Sequence, residues 1–206
     1  MKLQILDVGP LYVNCSIFSV NGKCIIFDPG DDFNAIDEYI TKNKLKPLYI
    51  LNTHGHFDHI GAVDELKNKH NIPFYMSKKD EKIMEETAKQ AVLFGLPPRK
   101  APKIDRDIKD EDIFEIENIK IKALATPGHT PGGMCFHILN QKIVISGDTL
   151  FYLSVGRTDF PYSDFDALVK GIKSKLFTLP DDTVVIPGHG EKTTIGFEKK
   201  TNPFLR

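Results

Sequence analysis

Lys2 to Val8 and Asn14 to Val20 read as strands, and Asn21-Gly22 then makes a hairpin turn into Cys24 to Asp28, closed by Pro29-Gly30. The period then lengthens. Phe33, Ile36 and Ile40 fall at helical spacing, followed by a strand over Leu48 to Asn52, a helix over Ile60 to Lys69 and a short strand over Pro73 to Met76. Residues Lys78 to Phe94 place Ile83, Met84, Ala88, Ala91 and Val92 on roughly one face, which predicts an amphipathic helix ended by Gly95. Leu96 to Lys103 carries Pro97, Pro98 and Pro102 and is expected to be a loop; its Arg99, Lys100 and Lys103 either face water or meet an anionic substrate.

The second half repeats the pattern. Asp112 to Glu117, Ile119 to Thr126, Met134 to Leu139 and Ile143 to Ser146 form a second meander with turns at Asn118 and Asn140-Gln141. A last helix is expected where Phe165, Leu168, Val169, Ile172 and Leu176 share one stripe, and a strand over Thr183 to Ile186 closes the pattern. Strand meander plus helix occurring twice predicts an α/β (α+β) fold, a four-layer αββα sandwich of two mixed sheets with helices outside.

Composition narrows the function. The length of 206 residues fits one domain. Lys+Arg 27 against Asp+Glu 28 leaves a net charge of -1, so the basic footprint of a nucleic-acid binder is missing. No apolar run approaches the ~18 residues of a membrane helix. Cys15, Cys24 and Cys135 lie far apart in strand-like stretches, which suits buried thiols rather than a disulfide framework, and a reducing cytoplasm is the simplest compartment. No protein partner is evident.

Five of the seven histidines follow strand signals directly: His54, His56 and His59 after the Leu48 to Asn52 strand, His129 after Ile119 to Thr126, and His189 after Thr183 to Ile186. His54-Gly55-His56-Phe57-Asp58-His59 puts four donors within six residues, and its glycine lets the backbone turn tightly. His129, Asp148 and His189 each stand beside glycine in Gly128-His129, Gly147-Asp148 and Gly188-His189-Gly190. Any one of these histidines alone reads as a hydrogen-bonded turn residue; together they make a donor set. Imidazoles and carboxylates without cysteine suit zinc, iron or manganese, and seven donors exceed what one tetrahedral site requires. Two divalent ions are implied: His54, His56 and His129 on one, Asp58, His59 and His189 on the other, and Asp148 bridging both together with a water-derived hydroxide. His70 is expected to be exposed and His137 to be an ordinary sheet histidine. Asp28 is either a turn aspartate or an outer acceptor that orients a ligating histidine.

The HxHxDH turn with His129, Asp148 and His189 downstream in that order resembles the metallo-beta-lactamase superfamily. The resemblance covers nearly the whole chain. It is strongest to the short, single-domain bacterial glyoxalase II-like hydrolases, which share Gly156-Arg157-Thr158-Asp159-Phe160 and the tail from Thr194-Ile195-Gly196-Phe197 through Asn202-Pro203-Phe204-Leu205. The resemblance implies the αββα fold and the metal partition above, with zinc the foremost ion. It also moves Asp28 toward the outer-acceptor role and makes Arg157 a substrate contact, with a salt-bridged structural arginine as the other reading. The implied activity is hydrolysis of a small-molecule thiolester by a metal-bridging hydroxide, with Asp58 and Asp148 as catalytic carboxylates. The helical C-terminal domain with which longer glyoxalase II enzymes hold glutathione is not expected here. Asp148 stands where common antibiotic-hydrolysing members have cysteine, which speaks against lactam cleavage. The alternatives are a mononuclear iron persulfide dioxygenase, which would use His54, His129 and Asp148, then a lactonase or a non-catalytic zinc module.

Overall fold

The computed structural model describes residues 1–86, 91–92, 95 and 100–206, in two compact units, Met1–Asp107 and Ile108–Arg206. The first unit is built on a six-stranded mixed sheet. Strands β1 (Lys2–Val8), β2 (Val13–Val20) and β3 (Lys23–Phe27) run antiparallel, and both Asn21 and Gly22 take the positive φ (49° and 78°) that a tight hairpin requires. Helix α1 (Phe33–Lys42) then carries the chain across to β4 (Lys46–Leu51), which pairs parallel with β3. Its apolar stripe buries Ile36 and Ile40, and the Asn43 amide donates back to the Tyr39 carbonyl (2.8 Å) where the helix ends. Strands β5 (Phe74–Met76) and β6 (Arg106–Asp107) extend the parallel part. The continuous burial of Cys24, Ile25, Ile26 and Phe27 marks β3 as a central strand covered on both faces.

The second unit mirrors this order. Its six-stranded mixed sheet runs β7 (Ile113–Ile116), β8 (Ile119–Ala125), β9 (Met134–Ile138) and β10 (Ile143–Gly147) as an antiparallel meander. A small hairpin of β11 (Leu150–Phe151) and β12 (Ser154–Val155) follows. Helix α5 (Phe165–Gly171) and a π-helical turn, Ile172–Leu176, lead to β13 (Val184–Pro187), parallel to β10. Leu168, Ile172 and Leu176 pack with Leu124, Cys135, Val144 and Val185 in this unit's core.

Several elements differ from the sequence expectation. The helix expected over Ile60 to Lys69 is two: α2 (Phe57–Ile60) and α3 (Val63–His70). Asp58 and His59 therefore lie on a helical turn, closed by the His59 N–H to the His56 carbonyl (3.0 Å) and by the Asn52 amide to the His59 carbonyl (2.7 Å). Polar closures of this kind leave no trace in an apolar period. Over Lys78 to Phe94 the structure shows a 3-10 turn, Lys78–Asp80, and α4 (Glu81–Glu85), which buries Ile83 and Met84. Ala88 and Phe94 lie outside the described residues; Ala91 and Val92 are helical as expected, Ala91 buried and Val92 55% exposed rather than on the buried face.

The helix after β10 is not the last. Strand β14 (Thr193–Thr194) pairs with β13, and α6 (Ile195–Thr201) follows, capped by the Thr194 hydroxyl. The inner face of α6 presents a carboxylate, Glu198, instead of an apolar stripe, so hydrophobic periodicity does not reveal it. His70 is not exposed as expected: its Nε2 lies 2.8 Å from Asp37 Oδ1 with the ring largely covered. His137 is a half-buried sheet residue, its pKa lowered by burial and then by Lys122. All three cysteines are buried and unbridged, and burial pushes the Cys24 thiol up to about 12. Among the described residues no helix is long and apolar enough to cross a membrane.

Candidate metal centre

Parallel pairing decides where the donors fall. Asp28 follows the end of β3, and Thr53 to His59 follow the end of β4; the two strands are parallel, so both segments emerge at one edge of the first sheet. In the second unit β8 and β10 each run antiparallel to β9, and β13 runs parallel to β10, so His129, Asp148 and His189 also leave one edge of their sheet. Loops at a strand edge carry polar groups without disturbing the apolar layers.

In the first unit Asp28 organises the histidines. Its Oδ1 accepts the Thr53 N–H (2.7 Å), and its Oδ2 accepts the Thr53 hydroxyl (2.7 Å) and lies 3.2 Å from His59 Nδ1. A carboxylate accepts only, so Thr53 donates to Asp28 and its oxygen receives His54 Nδ1–H at 3.0 Å. His54 Nε2 then carries the ring's lone pair, and it faces His56 Nδ1 at 3.0 Å. His59 is fully buried with Nε2 3.8 Å from Asp58 Oδ2, and its ring centroid lies 4.1 Å from that of His54. Gly30 is required beside them: a Cβ there would stand 1.7 Å from the Asp58 carbonyl oxygen.

The second unit repeats the device with different atoms. His129 Nδ1–H donates to the Arg157 carbonyl (2.8 Å), which leaves Nε2 as the ring's acceptor, 3.6 Å from Asp148 Oδ2. His189 Nε2 approaches the same oxygen at 3.7 Å. Here the close approach is at Gly156, where a Cβ would stand 1.9 Å from the Asp148 carbonyl oxygen and 3.1 Å from His129 Cβ. The Ser163 hydroxyl donates to the His129 carbonyl (2.8 Å), and Phe160 meets the His129 ring edge-on at 6.0 Å. Arg157 is held in a fork by Asp159, Nε at 2.7 Å and Nη2 at 2.6 Å, and stacks 4.5 Å over Phe160. That fork holds the Asp159 carboxyl down to about 2.

The structure thus groups His54, His56, Asp58 and His59, with Asp28 accepting from Thr53 beside His59, in one unit, and His129, Asp148 and His189 in the other. Thr53, Asn52 and the Arg157 carbonyl were not marked by the sequence. A threonine beside a histidine cluster is an ordinary strand-end residue, and a backbone carbonyl has no residue identity to read. The donors fit divalent cations: the rings of His54, His56, His59 and His129 are buried, the Nε2 atoms of His59, His129 and His189 lie beside carboxylates, and the Nδ1 atoms of His54, His59 and His129 each face an oxygen that orients the ring.

Comparison with known proteins agrees with this chemistry. The family model described as "Metallo-beta-lactamase superfamily" matches residues 8–189. The chain is 38% identical to the "Hydroxyacylglutathione hydrolase GloC" of Haemophilus influenzae, over 100% of this chain and 98% of that one. It superposes on the "BLEG-1 B3 metallo-beta-lactamase" with a TM-score of 0.92 and 36% identity, covering 99% of each chain. It matches the di-iron-bound form of TTHA1623 with a TM-score of 0.90 and 37% identity, covering 98% of this chain and 100% of that one. The family match takes in Asp28, all seven candidate donors and most of each mixed sheet, and on that ground the chain belongs to the metallo-beta-lactamase superfamily and has its fold.

Proposed function

We propose that the protein is a dinuclear metal-dependent hydrolase of small-molecule thiolesters of the S-lactoylglutathione type. His54, His56 and His129 would hold one divalent ion, Asp58, His59 and His189 the other, and Asp148 both. The observation that carries the reading is the pair of ring nitrogens, His54 Nε2 and His56 Nδ1, facing each other at 3.0 Å at the head of a seven-donor set. Zinc suits these ligands best, with iron or manganese next, and the di-iron form of TTHA1623 supports iron as a working metal. The relative named hydroxyacylglutathione hydrolase supports a thiolester substrate.

When bound, paired divalent ions supply water acidified to about pKa 7 and an electrophile for a carbonyl oxygen. The chain's own groups orient that chemistry. Asp28 fixes His59 directly and His54 through Thr53, the Arg157 carbonyl fixes His129, and the Asp148 carboxylate stands between His129 and His189. Arg157, with Nε and Nη2 engaged by Asp159, would turn its remaining guanidinium edge to an anionic end of the substrate. A thiol pKa of about 8.5 makes thiolate a leaving group that needs no dedicated acid. Lactam hydrolysis is the second reading, supported by the likeness to BLEG-1, and its amine leaving group would need a proton donor beyond these carboxylates.

Metal analysis paired with assays decides. Two metal ions per chain and loss of thiolester absorbance are expected, and His56→Ala is expected to abolish that turnover. One iron per chain with oxygen uptake on a persulfide would overturn the reading, and turnover of a β-lactam without thiolester cleavage would replace it with the second.

A further inference from the structure

A buried carboxylate outside the seven donors stands against the turn that carries two of them. Asp80 is fully buried at the end of the Lys78–Asp80 turn, and its Oδ2 accepts the N–H of Gly55, the residue between His54 and His56, at 3.0 Å. The two segments are in tight contact. A Cβ on Gly55 would lie 3.0 Å from Asp80 Cβ, 3.1 Å from the Asp80 carbonyl oxygen and 3.1 Å from Met84 Cγ. The Asp80 side is itself anchored: Ser77 caps the turn by accepting the Lys79 N–H, the Asp80 N–H donates to the Ser77 carbonyl, and the Lys78 N–H donates to Asp107 Oδ1 at 2.9 Å on β6. Burying a carboxylate is costly unless hydrogen bonds compensate it, so a position that only filled space would favour an apolar side chain. Ser77-Lys78-Lys79-Asp80 has the spacing of an ordinary capping box, and nothing in the sequence marks Asp80 for a role at the histidine turn.

We propose that Asp80 is a positioning residue for the metal centre. By holding the Gly55 N–H it fixes the peptide between His54 and His56, and with it the 3.0 Å approach of their facing ring nitrogens. The inference rests on reading His54 and His56 as ligands and is independent of the substrate.

The test measures the successive zinc affinities of the native protein, Asp80→Ala and Asp80→Asn by competition with a chromophoric chelator. The hydrogen exchange of the Gly55 amide is followed alongside by NMR. Asp80→Ala is expected to weaken at least one zinc-binding step by roughly ten- to a hundredfold, the usual cost of losing an outer partner, and to speed Gly55 exchange. Asp80→Asn, whose amide oxygen still accepts that N–H, is expected to restore slow exchange and most of the affinity. Native zinc affinities in Asp80→Ala would overturn the proposal, as would affinity lost in Asp80→Asn while Gly55 stays protected. Should Asp80→Ala not fold, Asp80→Asn alone decides by the same two readings. Neither readout involves a thiolester. Two normally bound zinc ions without thiolester turnover would therefore sink the proposed function only, whereas native zinc affinities in His54→Ala would remove the premise of this inference.

Discussion

Thr53 shows how much one oxygen can carry. It donates to Asp28 and receives His54, so replacing it by valine keeps the shape, strips the link and leaves a buried carboxylate one partner short. Thr53→Val is expected to weaken metal binding by about ten- to a hundredfold, while Thr53→Ser keeps it; chelator competition reads both. A second residue-scale prediction concerns the Arg157–Asp159 fork. With its carboxyl held down to about 2 against an ordinary 3.8, Asp159 gives the folded state a contribution that is complete above that ordinary value and is lost as pH falls through about 2. Both partners are well exposed, so the effect on stability is small. An NMR titration of the Asp159 carboxyl is expected to find it near 2 in the native chain and back in the usual carboxylate range in Arg157→Gln. At this scale the seven side chains that the proposed reading takes as donors stand out in the sequence because imidazoles and carboxylates crowd beside glycines after strands. Thr53, Asn52 and Asp80 were not, since each has an unremarked local role that the sequence equally supports.

Elements were legible where an apolar stripe decides them and obscure where polar atoms do. β7 follows an alternation of core and surface positions, β2 and β3 are apolar runs bounded by turn residues, and α1 follows a helical stripe. Helix α2 is closed by Asn52, and α6 by Thr194 and a buried acid, so neither advertises itself. Glu198 accepts the Thr193 hydroxyl (2.5 Å), the Asn202 amide (2.8 Å) and the Leu153 N–H (3.1 Å), tying α6 to the β11–β12 hairpin. Glu198→Ala leaves the buried Thr193 and Asn202 donors without their acceptor and is expected to cost about 3 kcal/mol, read as a lowered midpoint in denaturant. Gly156→Ala meets the Asp148 carbonyl and is expected to cost at least about 2 kcal/mol and to disturb the Asp148 backbone. A variant of native stability would show that the β12–α5 loop has another conformation open to it.

For the whole molecule, the repeated order of meander, helix and parallel strand explains why two mixed sheets could be expected from the sequence alone. Minor pairings such as β6, β11, β12 and β14, two residues each, are too short to leave a period. On the proposed reading, a ligand that binds only the folded chain raises its stability by about 2.7 kcal/mol at a hundredfold excess over its dissociation constant. The melting temperature is therefore expected to rise with zinc concentration and to fall on chelation, and a midpoint indifferent to both would count against a metal centre. Among the described residues, the apolar cluster around Ile26 and Ile50 in the first unit and that around Leu168 and Val185 in the second contain none of the seven candidate donors, all of which follow strand ends. Scaffold and reactivity are thus separate inheritances. Loops at those rims can lengthen or exchange residues over evolutionary time without refolding the layers beneath, so relatives of nearly equal identity can diverge in what they act upon, and reassigning specificity in the laboratory should begin at the same rims.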